Sequence, residues 1–173
     1  MDEVTLLSPE GIAIGVIAKA DVHTTDTPLH LAFSCHVIDD DGRLLVTRRA
    51  LAKRTWPGVW TNSFCGHPRP GEEMADAVAR RAREELGLDV TDITLVVPDY
   101  RYRAVDASGI VENEICPVHT ARIRGTIDPD PDEVAEWAWV DPTAFAAAVA
   151  SAPFAFSPWL VEQLPLLRSR GAV

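Results

Sequence analysis

No apolar run in the sequence reaches the ~18 residues that a membrane-spanning helix needs, so no membrane span is expected. The start, MDEVTLLSPE, lacks the basic-then-apolar order of a secretory leader, which points to a cytoplasmic protein. Cysteine is scarce as well. Cys35, Cys65 and Cys116 are odd in number, far apart and without a C-x-x-C pair, which argues against both a disulfide framework and a zinc ribbon. Positive charge is also in deficit. Sixteen Lys and Arg against 26 Asp and Glu leave a net charge of −10, which repels nucleic acid and anionic lipid, so neither is an expected partner. A phosphate ligand would then need a local basic pocket or a divalent cation. Repeats and low-complexity linkers are missing too, and 173 residues are expected to form one domain, 1–173, with a proper core.

The elements that remain are legible in outline. LHLAFSCHVID (29–39) and RLLVTRRA (43–50) are apolar, β-rich runs joined by DDDG, which predicts a β-hairpin. The next stretch, AKRTWPGVWTNSFCGHPRPG, holds three prolines and three glycines and is expected to contain no regular element. Glu72 to Leu86 is rich in helix formers and ends at Gly87, a natural C-cap. Strands are expected at 93–97, 100–105, 111–124 and 136–140, and short helices near 142–150 and 157–168. This order implies an α/β sandwich with a mixed sheet.

Two carboxylates stand out in VENEICPV. Side chains alternate along a strand, so Glu112 and Glu114 share a face, and the apolar neighbours Val111, Ile115 and Val118 suggest burial. Converging buried carboxylates call for a cation or a shared proton, whereas an isolated pair would more simply mark a solvated face. His23 and His30 bracket the turn-rich TTDTP, and His67 lies in the proline-rich stretch. A lone histidine is usually structural, but three imidazoles with two carboxylates form a nitrogen- and oxygen-rich set suited to manganese, zinc or magnesium. Cys65, beside Gly66 and His67, is open to three readings: metal ligand, buried filler or reactive thiol.

A longer pattern runs from the loop into the helix. Gly66, five residues, Glu72, seven residues, Arg80, and then Ala82, Glu84, Glu85, Gly87 and Leu88 resemble the Nudix box, G-x5-E-x7-R-E-U-x-E-E-x-G-U. One fixed position departs: the glutamate expected after Arg80 is Arg81. A guanidinium there removes a metal ligand and adds a phosphate-pairing group. Arg81 and Glu85 stand at i, i+4 on one helix face, so one can hold a diphosphate oxygen while the other holds a bridging cation. Such a site grips a diphosphate without hydrolysing it. A salt-bridged surface helix would be the simpler reading of RRAREE without the glycine spacing.

HLAFS, LLVTRRA, WPGVWTNSFCGHP, RYRA, GIVENEICPV and AFSPW extend the likeness from about Lys19 to Leu160. Together they resemble the type 1 isopentenyl diphosphate isomerases, Nudix-fold enzymes with an α/β/α sandwich. The resemblance implies interconversion of isopentenyl and dimethylallyl diphosphate, supplying isoprenoid biosynthesis. It implies Cys65 and Glu114 as the acid–base pair and His23, His30, His67, Glu112 and Glu114 as a manganese or zinc site. Glu85 and the backbone carbonyl of Cys65 would hold a magnesium that arrives with the substrate. Lys19, Arg49, Lys53 and Arg81 match phosphate-contacting residues, and Tyr102 and Trp159 an aromatic pocket; Glu84 has no assigned role. The partner implied is a small isoprenoid diphosphate, and the expected assembly is a monomer or weak homodimer. Two rivals are a Nudix hydrolase, which Arg81 speaks against, and a non-enzymatic diphosphate reader, which would not need the Cys65, Glu114 and three-histidine set.

Overall fold

The computed structural model describes residues 2–173. Two sheets share one chain. The first has strand order β2-β1-β3-β10-β9, built from β1 (Glu3–Leu7), β2 (Ala13–Ala18), β3 (His30–Leu31), β9 (Arg101–Val105) and β10 (Val111–Ile115). The second has the path β12-β5-β4-β11-β8, built from β4 (Phe33–Ile38), β5 (Leu44–Arg49), β8 (Asp89–Val97), β11 (Val118–Arg124) and β12 (Val134–Val140). Each is mixed: β3 and β10 run parallel in the first, β4 and β11 parallel in the second.

Both faces of the second sheet are covered, and alternation along β4 shows how. Phe33, Cys35 and Val37 pack against Ala77, Val78, Ala82 and Leu86 of helix α2 (Met74–Leu86). Ile38, Leu44 and Val46 pack on the other side against helices α3 (Pro142–Ser151) and α4 (Pro158–Ser169). This is the expected α/β/α sandwich, with an extra sheet beside it. Asp141 caps α3 by accepting from the Thr143 and Ala144 amides, and Ser157 caps α4 through Leu160. Gly87 ends α2 at φ +62°, as expected of a left-handed C-cap.

Several expectations shift. The 29–39/43–50 hairpin pairs only near its tip, at Ile38 and Leu44. Farther along, its strands separate and admit two short strands, β6 (Trp60–Thr61) against β5 and β7 (Phe64–Gly66) against β4. The proline- and glycine-rich stretch therefore does contain regular structure, and Cys65 sits on a strand. The run 111–124 is two strands in two sheets, broken at Cys116 and Pro117. The β3–β4 chain crosses between sheets beside it at Ala32, whose amide donates to Ile115 O at 3.0 Å while Ser34 N donates to Pro117 O at 3.1 Å. Finally, β1, β2 and the short helix α1 (Lys19–Val22) form an N-terminal ribbon that delivers Lys19 and His23 to the site.

Candidate active site

Register brings the site together on the first sheet. Glu114 pairs with His30 across the parallel β3–β10 contact and with Tyr102 across the antiparallel β10–β9 contact, so these three side chains stand in a row on one face. Glu112, two residues along, shares that face, as the alternation of VENEI predicts. Both carboxylates are buried, at 6% and 5% exposed. His23 follows α1, and His67 follows β7 from the neighbouring sheet.

One ligand atom from each of His23, His30, His67 and Glu114 lies within 4.8 Å of all the others. The imidazoles fit a metal for a reason visible in their bonding. His30 Nδ1 donates to the Pro28 carbonyl at 2.9 Å, which leaves Nε2 with its lone pair facing the cluster. Nε2 of His23, His30 and His67 is buried and makes no well-directed hydrogen bond; each faces a carboxylate oxygen instead, Glu112 Oε2 for His23 at 2.9 Å and Glu114 Oε1 for His30 and His67 at 3.4 and 3.3 Å. Three buried imidazole nitrogens turned toward carboxylate oxygens, none in a well-directed hydrogen bond, suit a divalent cation. Glu112 stands at the rim of this group. Its Oε2 is 2.9 Å from His23 Nε2, and its Oε1 accepts from Thr55 Oγ1 at 2.7 Å.

The electrostatics follow from burial and from these neighbours. Burial opposes charge on His30, but the adjacent Glu114 carboxylate outweighs it and raises the imidazole. In His67 burial wins and the ring is lowered. Burial alone would raise Glu114, yet the imidazoles of His30 and His67 hold it well below the usual carboxylate range. Burial pushes the Cys65 thiol up to about 12, so at neutral pH it carries its proton.

A cavity of about 340 Å³ joins these groups, lined by Lys19, His23, Arg49, Lys53, Cys65, His67, Arg81, Glu85, Tyr102, Glu112, Glu114, Glu133 and Trp159 among others. Every candidate from the sequence lies on it except His30, which is buried behind it. Three of the four basic candidates, Arg49, Lys53 and Arg81, are already engaged. Arg81 is ion-paired with Glu85 and with Glu84 at 3.0 Å, and Glu133 approaches it at 3.6 Å. Lys53 is paired with Glu133. The guanidinium of Arg49 donates to the Thr55 carbonyl and lies 5.6 Å from the Trp159 ring centroid. Arg81 and Glu85 do share a face, but they bond each other. Glu84, given no role above, braces Arg80 and Arg81. Tyr102 lies 5.7 Å from Trp159 between centroids, forming the aromatic wall.

The loop and helix of the box are locked together. Arg80 clamps Glu72 through two bonds of 2.8 Å and donates to the His67 carbonyl at 3.2 Å. Gly66 has no room for a side chain: an added Cβ would lie 2.7 Å from Arg81 Cγ and 2.9 Å from Phe33 Cζ.

Residues 28–160 match the NUDIX domain family. An isopentenyl-diphosphate Delta-isomerase of Leifsonia xyli is 61% identical over 168 residues, covering 96% of this chain and 91% of its own. The chain belongs to the type 1 isopentenyl-diphosphate isomerases. Another member, from Clavibacter michiganensis, is 63% identical over 164 residues, with 95% of this chain and 84% of its own covered. Solved structures carry the fold farther than the sequence. A Deinococcus radiodurans protein superposes with a TM-score of 0.73 at 19% identity, covering 95% of this chain and 98% of its own. A MutT protein from Methanosarcina mazei Go1 does so at 0.66 and 18%, with 84% and 97% covered. Among the described residues no helix is long and apolar enough to cross a membrane.

Four residues at this candidate site are given no role by the motifs of the sequence. Glu133 approaches from the loop before β12, and Thr55 and Asn62 lie in the stretch read as irregular. Ser34 faces Cys65 across the β4–β7 pairing. None carries a local signal, because each matters only through what the fold sets beside it.

Proposed function

We propose that the chain, as one isomerase unit over residues 1–173, interconverts isopentenyl and dimethylallyl diphosphate. The observation that carries this reading is one cavity holding a thiol, a carboxylate, two aromatic faces and a cluster of basic side chains. Adding a proton to the terminal alkene carbon makes a methyl group and a tertiary cation. Loss of a proton from the carbon on the other side places the double bond nearer the diphosphate, and the composition is unchanged. Cys65 and Glu114 form the acid–base pair for these two transfers. The faces of Tyr102 and Trp159 stabilise the positive charge without bonding to it, and they keep water away.

Lys19, Arg49, Lys53 and Arg81 hold the diphosphate, Lys53 exchanging Glu133 for a phosphate oxygen. Manganese or zinc would be held by His23, His30, His67, Glu114 and Glu112, and magnesium by Glu85 with the Cys65 backbone carbonyl. Together these metals would fix the orientation and basicity of Glu114 and offset the diphosphate charge. The cytoplasm and a monomer or weak homodimer fit this reading.

Proton NMR of isopentenyl diphosphate with the protein and magnesium tests it. The alkene CH2 signals should give way to dimethylallyl signals, and in deuterated water deuterium should enter the new methyl group. Unchanged substrate would refute the proposal. Phosphate or pyrophosphate release from nucleoside diphosphate derivatives at ~1–1000 per second would establish the hydrolase reading instead, which Arg81 opposes.

A further inference from the structure

Asn62 is fully buried in the link between β6 and β7 and does not line the cavity. Its surroundings dictate which way its amide points. Nδ2 donates to the Cys35 carbonyl at 3.0 Å and to the Phe64 carbonyl at 2.7 Å, and carbonyls only accept. At the other end Oδ1 accepts from Trp159 Nε1 at 2.9 Å, and an indole nitrogen only donates. Two independent contacts give the same orientation. The oxygen so placed also accepts from the Thr61 hydroxyl at 2.9 Å and from the Cys65 thiol at 3.4 Å.

One carbonyl oxygen therefore holds both the thiol of β7 and the indole of α4, although 94 residues separate them in sequence. Ser34 also contacts the sulfur. Its hydroxyl accepts from Gln163 Nε2 at 2.9 Å, which leaves its own hydrogen for Cys65 Sγ at 3.3 Å or Cys116 Sγ at 3.5 Å. With the Ser34 hydrogen on Cys65 Sγ, the thiol hydrogen is left for Asn62 Oδ1. We propose that Asn62 is a positioning residue for the isomerisation: its Oδ1 sets the thiol direction and the indole plane jointly, acting through Cys65 and Trp159 without touching substrate. The inference rests on the acid–base role of Cys65 and the cation-facing role of Trp159 proposed above.

The physical demand is geometric. An alkene is a very weak base, so the proton-transfer group and the face that stabilises the resulting cation must meet the same carbons together. A displacement of ~1 Å costs on the order of 10²-fold in rate. An asparagine that only braced the loop would act through its Nδ2 bonds and leave turnover per folded molecule untouched.

The test uses the full chain with its metals present. Asn62→Ala should lower kcat by about 10- to 100-fold while changing KM by less than about twofold, because the diphosphate grip lies elsewhere. The indole N–H resonance of Trp159, identified by its loss in Trp159→Phe, should move while the other indole signals stay in place. Asn62→Asp keeps an oxygen for Trp159 and Cys65 and should recover part of the lost kcat. Wild-type kcat in folded Asn62→Ala, with Cys65→Ala inactive, would overturn the positioning role alone. An active Cys65→Ala would instead overturn the acid–base reading beneath it. Should Asn62→Ala fail to fold, the wild-type protein decides. A Trp159 indole N–H that exchanges rapidly with solvent would end the proposal, and a protected one, together with partial turnover in Asn62→Asp, upholds it.

Discussion

At the scale of single residues, the site pairs a proton-bearing thiol with a carboxylate that two imidazoles keep ionised. Neither group can do the other's work if they serve different carbons. Cys65→Ala and Glu114→Gln should therefore each lose turnover by ~10²–10⁴ or more while keeping diphosphate affinity, measured by single-turnover kinetics and pyrophosphate competition. Near-normal isomerisation by either folded variant would remove that residue from the pair. The histidines make a separate prediction, because the Nε2 atoms of His23, His30 and His67 are buried, make no well-directed hydrogen bond and converge with Glu114. His67→Asn should deplete tightly held metal in elemental analysis, and chelation of the wild type should abolish activity. Full metal content in the variant would place the ion elsewhere.

The decisive element is the loop and helix from Gly66 to Gly87. Helix α2 buries Ala77, Val78, Ala82 and Leu86 against the second sheet and turns Arg81 and Glu85 toward the cavity. The clamp of Arg80 on Glu72 fixes the approach of the loop to this helix, and Gly66 lets the loop backbone lie against the Arg81 stem and the Phe33 ring. Gly66→Ala would drive a methyl group into the Arg81 stem and the Phe33 ring. It should cost about 1–3 kcal/mol in urea unfolding, as overpacking of a filled site does. Because the Arg81 guanidinium moves with its stem, KM should rise alongside the stability loss. A variant as stable as wild type with unchanged KM would mean that the helix yields without cost.

Across the whole molecule, the seam where β3–β4 and β10–β11 pass between sheets gathers buried polar groups behind the site. Farther along β4 His36 is 2% exposed, with Nε2 3.1 Å from Gln163 Oε1. Burial lowers its pKa to about 4 from the ordinary 6.5, and the Gln163 contact offsets this only in part. The folded chain thus keeps His36 neutral where the unfolded chain takes up a proton. Its contribution to stability is full above pH 6.5 and is lost as pH falls toward 4. Between pH 7 and pH 5 that amounts to roughly 2 kcal/mol. In paired urea titrations His36→Gln should lose less stability over this interval than the wild type. Equal losses would show that His36 is not the group responsible.

The amino-acid sequence by itself determined the chemistry available and the family. The Gly66 to Leu88 spacing, the ENE triplet and the Cys-Gly-His string name Cys65, His67, Arg81, Glu85, Glu112 and Glu114 on the cavity, because residue type and short spacing are local properties. Helix α2 and its Gly87 cap were legible for the same reason: a periodic run with a defined stop needs no distant partner. Strands β6 and β7 were not, since two or three residues carry no period and exist only by pairing with β5 and β4. Nor was the break at Cys116 and Pro117, where an apparently continuous strand changes sheets. Tertiary structure alone decided that His23, His30, His67 and Glu114 meet, that Glu133 approaches Arg81, and that Asn62 offers one oxygen to both Cys65 and Trp159. These are matters of register and burial, which arise between segments far apart in the chain and leave no mark on any one of them.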